Sequence, residues 1–341
     1  MLEDSEKTGL DPCAAPWDEE GKEAPFARAE DLVARSNEEL AGVDPAEMNL
    51  RVAKGLASLA GTDILYYQGI LDEWAGDIGA RLPAAEVQFR KTPQDWKNDI
   101  RFFRLGMVCW YVDQVLDIRY REDQRNLKRV RYTDPSDLFL NGVIDTRHGT
   151  CGNMATLHVA LCWRLGWPTS LACAGSHYIC RFDDGQVRHN IEATKTGGGG
   201  FHSHPDEYYL KEYQLPHKAI TCGSDLRAVT PREMLGLFFG ARGRHLENTD
   251  HYEEAERDYL LARYLFSRNR HLYVSQNQTS IQCSLELLEP GEKGHPTELV
   301  TWLQQVVHMA GYERAGFFQP KEVPSYECHL DSVFHRLGEN Q

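Results

Sequence analysis

Gly149-Thr150-Cys151-Gly152-Asn153-Met154-Ala155-Thr156-Leu157 is a glycine-bearing turn that runs directly into an amphipathic helix. Met154, Ala155, Leu157, Val159, Leu161 and Leu165 give that helix an apolar side, and Gly166 with Pro168 just beyond ends it. Cys151 thus falls in the first helical turn. There the positive end of the helix dipole lowers a thiol pKa and favours the nucleophilic thiolate. Downstream, Thr169–Ala174 reads as a buried strand. His177–Phe182, Asp183-Asp184-Gly185 and Gln186–Thr194 read as a β-hairpin turned at Asp-Gly. Period-two alternation puts His177, Ile179 and Arg181 on one face, and Asn190 with Glu192 on one face of the second strand. A nucleophile, a base and two base-orienting candidates follow in chain order, which is the logic of a cysteine–histidine–acid triad.

Outward from this stretch the chain is helical. Asp44-Pro45 to Leu82-Pro83 carries two apolar stripes, split at Gly61-Thr62. Thr92-Pro93-Gln94-Asp95 starts a helix expected to run through Trp96, Ile100, Phe103, Met107, Tyr111, Val115 and Ile118. Thr230-Pro231-Arg232-Glu233 is a capping box that opens a helical hairpin, 230–243 and 250–267. Its Tyr252, Ala255, Tyr259, Ala262 and Leu265 resemble one tetratricopeptide-type unit. The pattern divides the chain into an acidic leader, 1–44, expected to be disordered, and a helical N-terminal region, 45–130. A module with the cysteine and the strands follows at 131–235, then a helical hairpin at 236–275 and a C-terminal helix and tail at 276–341.

Composition narrows the function classes. The net charge of −14 is concentrated at the start, where residues 1–47 hold fourteen Asp/Glu and four Lys/Arg. The rest is nearly balanced and has no basic stripe, so nucleic acid is not an expected partner. The N-terminus has no basic n-region or apolar h-region, and no apolar run approaches the ~18 residues of a membrane span. No pair among the nine scattered cysteines has CxxC spacing, so a reducing cytoplasm is the expected setting and no zinc ribbon is read.

Three stretches together resemble the transglutaminase-like superfamily, the papain-related group with a Cys–His–Asp/Glu triad. They are Gly149 to Leu157, Ser176-His177-Tyr178-Ile179-Cys180-Arg181-Phe182, and Asn190-Ile191-Glu192-Ala193-Thr194. The resemblance covers roughly residues 131–235 and is closest to the bacterial branch whose module carries helices on both sides. It implies an α+β, papain-like core, with the catalytic helix packed on an antiparallel sheet and helical regions flanking it. It also implies Cys151 as nucleophile, His177 as base and Glu192 as acid. Much of the superfamily has aspartate at the acid, so Asn190 on the same strand face is the alternative orienting residue. The activity implied is acyl transfer or hydrolysis at an amide or isopeptide bond through a thioester, on a peptide or protein substrate and with no cofactor.

Each residue also has a plainer reading. Glu192 could pair with Arg188 or Lys195, and Arg147 could face solvent or contact substrate. The oxyanion needs a second donor besides the Cys151 N–H, for which Trp110, Tyr120 and Tyr132 stand unranked. Two other classes compete with the enzyme. One is a non-catalytic binding module using the inherited cleft, with the C-terminal helical half as a protein-partner platform. The other is a metal-dependent hydrolase built on His189, His202 and His204 with Asp206 and Glu207. The four glycines at 197–200 argue against a metal framework, and residues 197–206 are expected to form a mobile cover over the cysteine site.

Overall fold

Asp44 and Pro45 start the first long helix for a local reason. The Asp44 carboxylate accepts the Ala46 N–H at 2.8 Å, and proline at the first position has no N–H to leave unbonded. The computed structural model describes residues 28–121, 123, 131–195, 200–272 and 275. Helices α1 (Asn37–Ala41), α2 (Pro45–Lys54), α3 (Ile64–Phe89) and α4 (Ile100–Trp110) come first. Strands β1 (Arg119–Tyr120) and β2 (His148–Gly149) form a short parallel pair, with α5 (Leu140–Thr146) between them in the chain. Helix α6 (Cys151–Arg164) leads into β3 (Thr169–Ala174), β4 (His177–Asp183) and β5 (Arg188–Ile191), an antiparallel sheet in that order. Helices α7 (Asp206–Glu212), α8 (His217–Thr221), α9 (Pro231–Asn248) and α10 (Tyr252–Leu265) follow. The mixture of helix with one small antiparallel sheet fits the expected α+β class.

The core is organised around α6. Every residue from Asn153 to Cys162 is buried, so the helix is enclosed on all sides rather than on one apolar face. It lies against β3 and β4 on one side and against α2, α3, α4 and α5 on the others. Its polar side chains survive burial by bonding back to their own helix. Thr156 Oγ1 donates to the Gly152 carbonyl at 2.7 Å, and His158 Nδ1 to that of Met154 at 2.8 Å. Each fully buried leucine here contributes on the order of 1.5–3 kcal/mol.

Several expectations need correction. Residues 28–43 are not a loose leader: Ala29, Leu32 and Leu40 are buried, and Glu30 is ion-paired with Arg242. Residues 1–27 lie outside the described residues, as does the tail from 276. Helix α3 does not stop at Pro83 but continues to Phe89. Pro83 is exposed, and Arg104 ties down the far end of the helix through Glu86 at 2.7 Å. The helix expected from 92 to 118 is broken instead. Lys97 and Asn98 adopt left-handed φ values of 56° and 55°, and Asp99 starts a new helix by accepting the Arg101 N–H. A π-helical turn at Tyr111–Val115 ends it. The boundary drawn at 235/236 falls inside α9, which is one continuous helix. Among the described residues, no helix is long and apolar enough to cross a membrane.

Helices α9 and α10 pack tightly because Gly236 and Gly243 face the partner helix. A Cβ on Gly236 would meet the Ala262 carbonyl oxygen at 3.0 Å. A buried ion pair locks the hairpin to the N-terminal helices. Arg242 binds both Asp258 oxygens at 2.7 Å and the Val52 carbonyl at 3.1 Å. Asp258→Ala leaves this buried guanidinium with the half-exposed Glu30 as its remaining carboxylate. We expect a loss of about 3 kcal/mol, read as a lower urea midpoint. An unchanged midpoint would show that the hairpin is held by apolar packing alone.

Candidate active site

The turn before Cys151 is set by Asn153, a residue with no signal of its own in the sequence. Its Oδ1 accepts the Thr150 N–H at 2.8 Å, and its Nδ2 donates to the Ser136 and Phe139 carbonyls at 2.9 and 3.3 Å. Thr150 Oγ1 donates to the Asp137 carbonyl at 2.6 Å. These bonds tie the start of α6 to the 136–139 segment and place Cys151 at the first helical position. Gly149 must be small here, since a Cβ would lie 2.6 Å from Asn153 Oδ1.

The sheet brings the other two residues in. The positive φ of Gly175 turns the chain between β3 and β4, and His177 opens β4. Cys180 pairs with Ile191 and Arg181 with Asn190, so Glu192 follows the last residue of β5 and sits diagonally across from His177. At that point the backbone leaves the sheet, with Glu192 N–H bonded to the His202 carbonyl at 2.8 Å. His177 Nε2 lies 3.0 and 2.9 Å from the two Glu192 oxygens. Thr194 adds two bonds to Glu192 Oε1, from its hydroxyl at 2.6 Å and its N–H at 3.2 Å. With Nε2 engaged by the acid, Nδ1 is the ring nitrogen left for the hydrogen bond that His177 makes with Cys151. Tyr213 stacks on the imidazole, with centroids 5.2 Å apart and planes 12° from parallel.

The protonation states follow from these contacts. Burial opposes the imidazolium, but hydrogen bonds to Cys151 and Glu192, with their charges, push the His177 pKa up to about 10. Burial likewise opposes the Cys151 thiolate. His177, the Tyr178 N–H and the Tyr132 hydroxyl outweigh it and lower the pKa. The Glu192 pKa is lowered too, with burial overcome by His177 and Thr194. All three shifts favour the charged forms, a thiolate and an imidazolium backed by a carboxylate. By contrast, burial raises the thiol pKa of Cys109, Cys173 and Cys180.

The structure thus brings Cys151, His177 and Glu192 together, and it leaves Asn190 out. Asn190 Oδ1 accepts from the buried Arg181 at 2.8 Å, and its Nδ2 donates to the His204 carbonyl and Asp206. It is committed to the sheet and does not orient His177. Arg147 also plays a local part: it ends α5 with φ 59° and lays its guanidinium over Trp74 at 4.8 Å. Of the three unranked aromatics, Tyr132 reaches the sulfur and Tyr120 lines the adjoining cavity, while Trp110 does not line it. Thr194 and Tyr213 were not anticipated. Threonine two residues after a strand-end acid is a local signal for the former, whereas the latter arrives from α7 through tertiary packing.

The histidine-rich stretch is arranged differently from either expectation. His189 bonds Asp99 at 2.9 Å, His202 offers its backbone carbonyl to Glu192, and His204 stacks on Tyr208 with centroids 4.0 Å apart. Among the described residues, no three His, Cys, Asp or Glu side chains are grouped to hold a metal. The expected cover falls partly on 197–199, outside the described residues. Its remainder is pinned: Phe201 packs on Trp96 and Phe102 with centroids 6.1 and 4.7 Å away. Residues 203–206 line a separate recess beside His189, not the Cys151 cavity.

Thr194→Val keeps the shape and removes the hydroxyl bond to Glu192. We expect a stability loss of about 1–2 kcal/mol and a weaker hold on His177. The Cys151 alkylation profile should then shift to higher pH. A profile identical to wild type would show that Thr194 does not support the acid.

Residues 69–237 match the family model described as the transglutaminase-like superfamily. The match begins within α3 and ends within α9, so it takes in helices that sequence patterning had set apart from the module at 131–235. No curated protein and no solved structure gave a significant match. The chain therefore carries a transglutaminase-like superfamily domain, which spans residues 69–237.

Proposed function

We propose that the protein is a cysteine-nucleophile enzyme that cleaves or transfers an acyl group at an amide or isopeptide bond, with hydrolysis favoured. The observation that carries this reading is the imidazole of His177, bound at Nε2 by a buried carboxylate and hydrogen-bonded to Cys151. A histidine needed only for packing requires one satisfied nitrogen. Here both nitrogens are used, one on an acid and one on a thiol in the first turn of a helix.

The Cys151 sulfur adds to the carbonyl carbon, forming a C–S bond and an oxyanion. The Cys151 N–H at the helix start is one oxyanion donor, and Tyr132, whose hydroxyl reaches the sulfur, is the side chain we assign as the second. Collapse breaks the C–N bond, and His177 gives its proton to the departing amine. Water then adds to the thioester while His177 takes its proton. The second collapse releases a carboxylic acid and restores the sulfur. An amine in place of water gives transfer through the same first half. Glu192 holds the ring orientation and stabilises the imidazolium in both halves.

A cavity of about 580 Å³ adjoins Cys151 and His177 and gives the acyl donor a place to bind. A peptide or protein amide is the substrate class we favour.

Incubation with fluorogenic peptide amides, with and without added alkylamines, tests the reading. We expect turnover and a covalent mass increase on Cys151 when the reaction is quenched early. Cys151→Ala should abolish both, and Glu192→Gln should lower kcat by about 100-fold or more. An alkylation profile for Cys151 that matches a free thiol, and that His177→Ala leaves unaltered, would overturn the proposal in favour of a binding module.

A further inference from the structure

The α9–α10 hairpin lines the cavity between Phe238 and Tyr259, and Asn269, His271, Leu272 and Ser275 join it; all of these lining residues lie beyond the end of the family match at 237. This wall carries Arg244. Its Nη1 lies 2.9 Å from Glu247 and its Nη2 donates to Ser275 at 2.8 Å, yet 28% of the side chain stays open, and Arg244 lines the cavity. Ala241 on the preceding turn also lines it, whereas the open side of Gly240 is filled by Leu272. His271, on the same wall, accepts the Arg270 Nε–H at its Nε2, which places its own ring proton on Nδ1 as a donor. Among the described residues that line the cavity, none is an aspartate or glutamate. Glu247 stands behind Arg244 and is bonded by Tyr259 as well.

The chemistry of this surface selects a ligand. Among the described residues that line the cavity, the permanently charged side chain is that of Arg244. Glu247 offsets part of that charge from outside the cavity lining. A guanidinium has five N–H donors, and Glu247 and Ser275 take only part of them. Among the described residues, the donors that Glu247 and Ser275 do not take are left for a ligand carboxylate, while a ligand ammonium would meet no carboxylate on the described wall.

We infer that the hairpin is the specificity element and that Arg244 recognises an acyl donor bearing a carboxylate a short chain away from the scissile carbonyl. This inference rests on the proposed function, because it concerns the acyl donor of that same site. Arg244 acts on binding and not on the reacting atoms.

The test separates the two readings. Cys151 is alkylated with iodoacetate and with iodoacetamide, which present the same carbon with and without a carboxylate, and N-acetylcysteine supplies the intrinsic ratio of the two rates. In the wild type we expect that ratio to exceed the reference by about tenfold, the scale of one partly screened charge. Arg244→Gln should lose most of the excess, and Arg244→Lys should keep it. Should the glutamine variant fail to fold, wild-type kcat/KM for the 4-nitroanilide of glutaric acid is compared with that of its neutral monoamide, where the acid should be favoured about tenfold. Rapid iodoacetamide labelling with no excess for iodoacetate, an excess that Arg244→Gln retains, or equal turnover of the two anilides would overturn the specificity and leave the nucleophile standing. Sluggish labelling of Cys151 by both reagents would overturn both readings.

Discussion

The contact on which the site depends is the bond between His177 and Glu192. A carboxylate 2% exposed is costly to keep charged, and only a cation held against it with good hydrogen bonds offsets that cost. Glu192 has the imidazole on one side and Thr194 on the other. Its charge in turn raises the His177 pKa, and the charged imidazole lowers that of Cys151. The polarity of the site is thus passed from a buried acid through one ring to a sulfur.

Sheet register makes that contact achievable. A one-residue slip between β4 and β5 would turn Glu192 to the opposite face, away from His177. The pairing is fixed by Arg181, fully buried and bonded across the strands to Asn190 and onward to Asp206. Asn190, once a rival for the acid's role, therefore serves that role indirectly, by holding the strand on which Glu192 follows. Because Glu192 lies diagonally from His177 rather than opposite it, the longer side chain of glutamate suits the gap.

Much of this was legible in the chain. The Gly-Thr-Cys-Gly turn, the Asp-Gly hairpin and the period-two faces are local signals, and they singled out Cys151, His177 and Glu192, which the fold brings together. What the sequence hid was decided by distant contacts. Helix α3 runs past Pro83 because its far end is tied to Arg104, and the break at Lys97–Asn98 reflects competition between two nearby helix starts, which periodicity does not rank. Residues 28–43 read as acidic leader because charge count obscures three buried apolar side chains. Tyr213 and Arg244 reach the site from later helices, and nothing in their own neighbourhoods marks them.

The central claim is that His177 is an imidazolium at neutral pH because it stands between Cys151 and Glu192. The most direct measurement is the ¹⁵N chemical shift of its ring nitrogens as a function of pH. The account requires both nitrogens to carry protons at pH 7, with an inflection near 10 that moves down in Cys151→Ala. A neutral ring at pH 7, titrating at or below the ordinary histidine value of about 6.5, would contradict it.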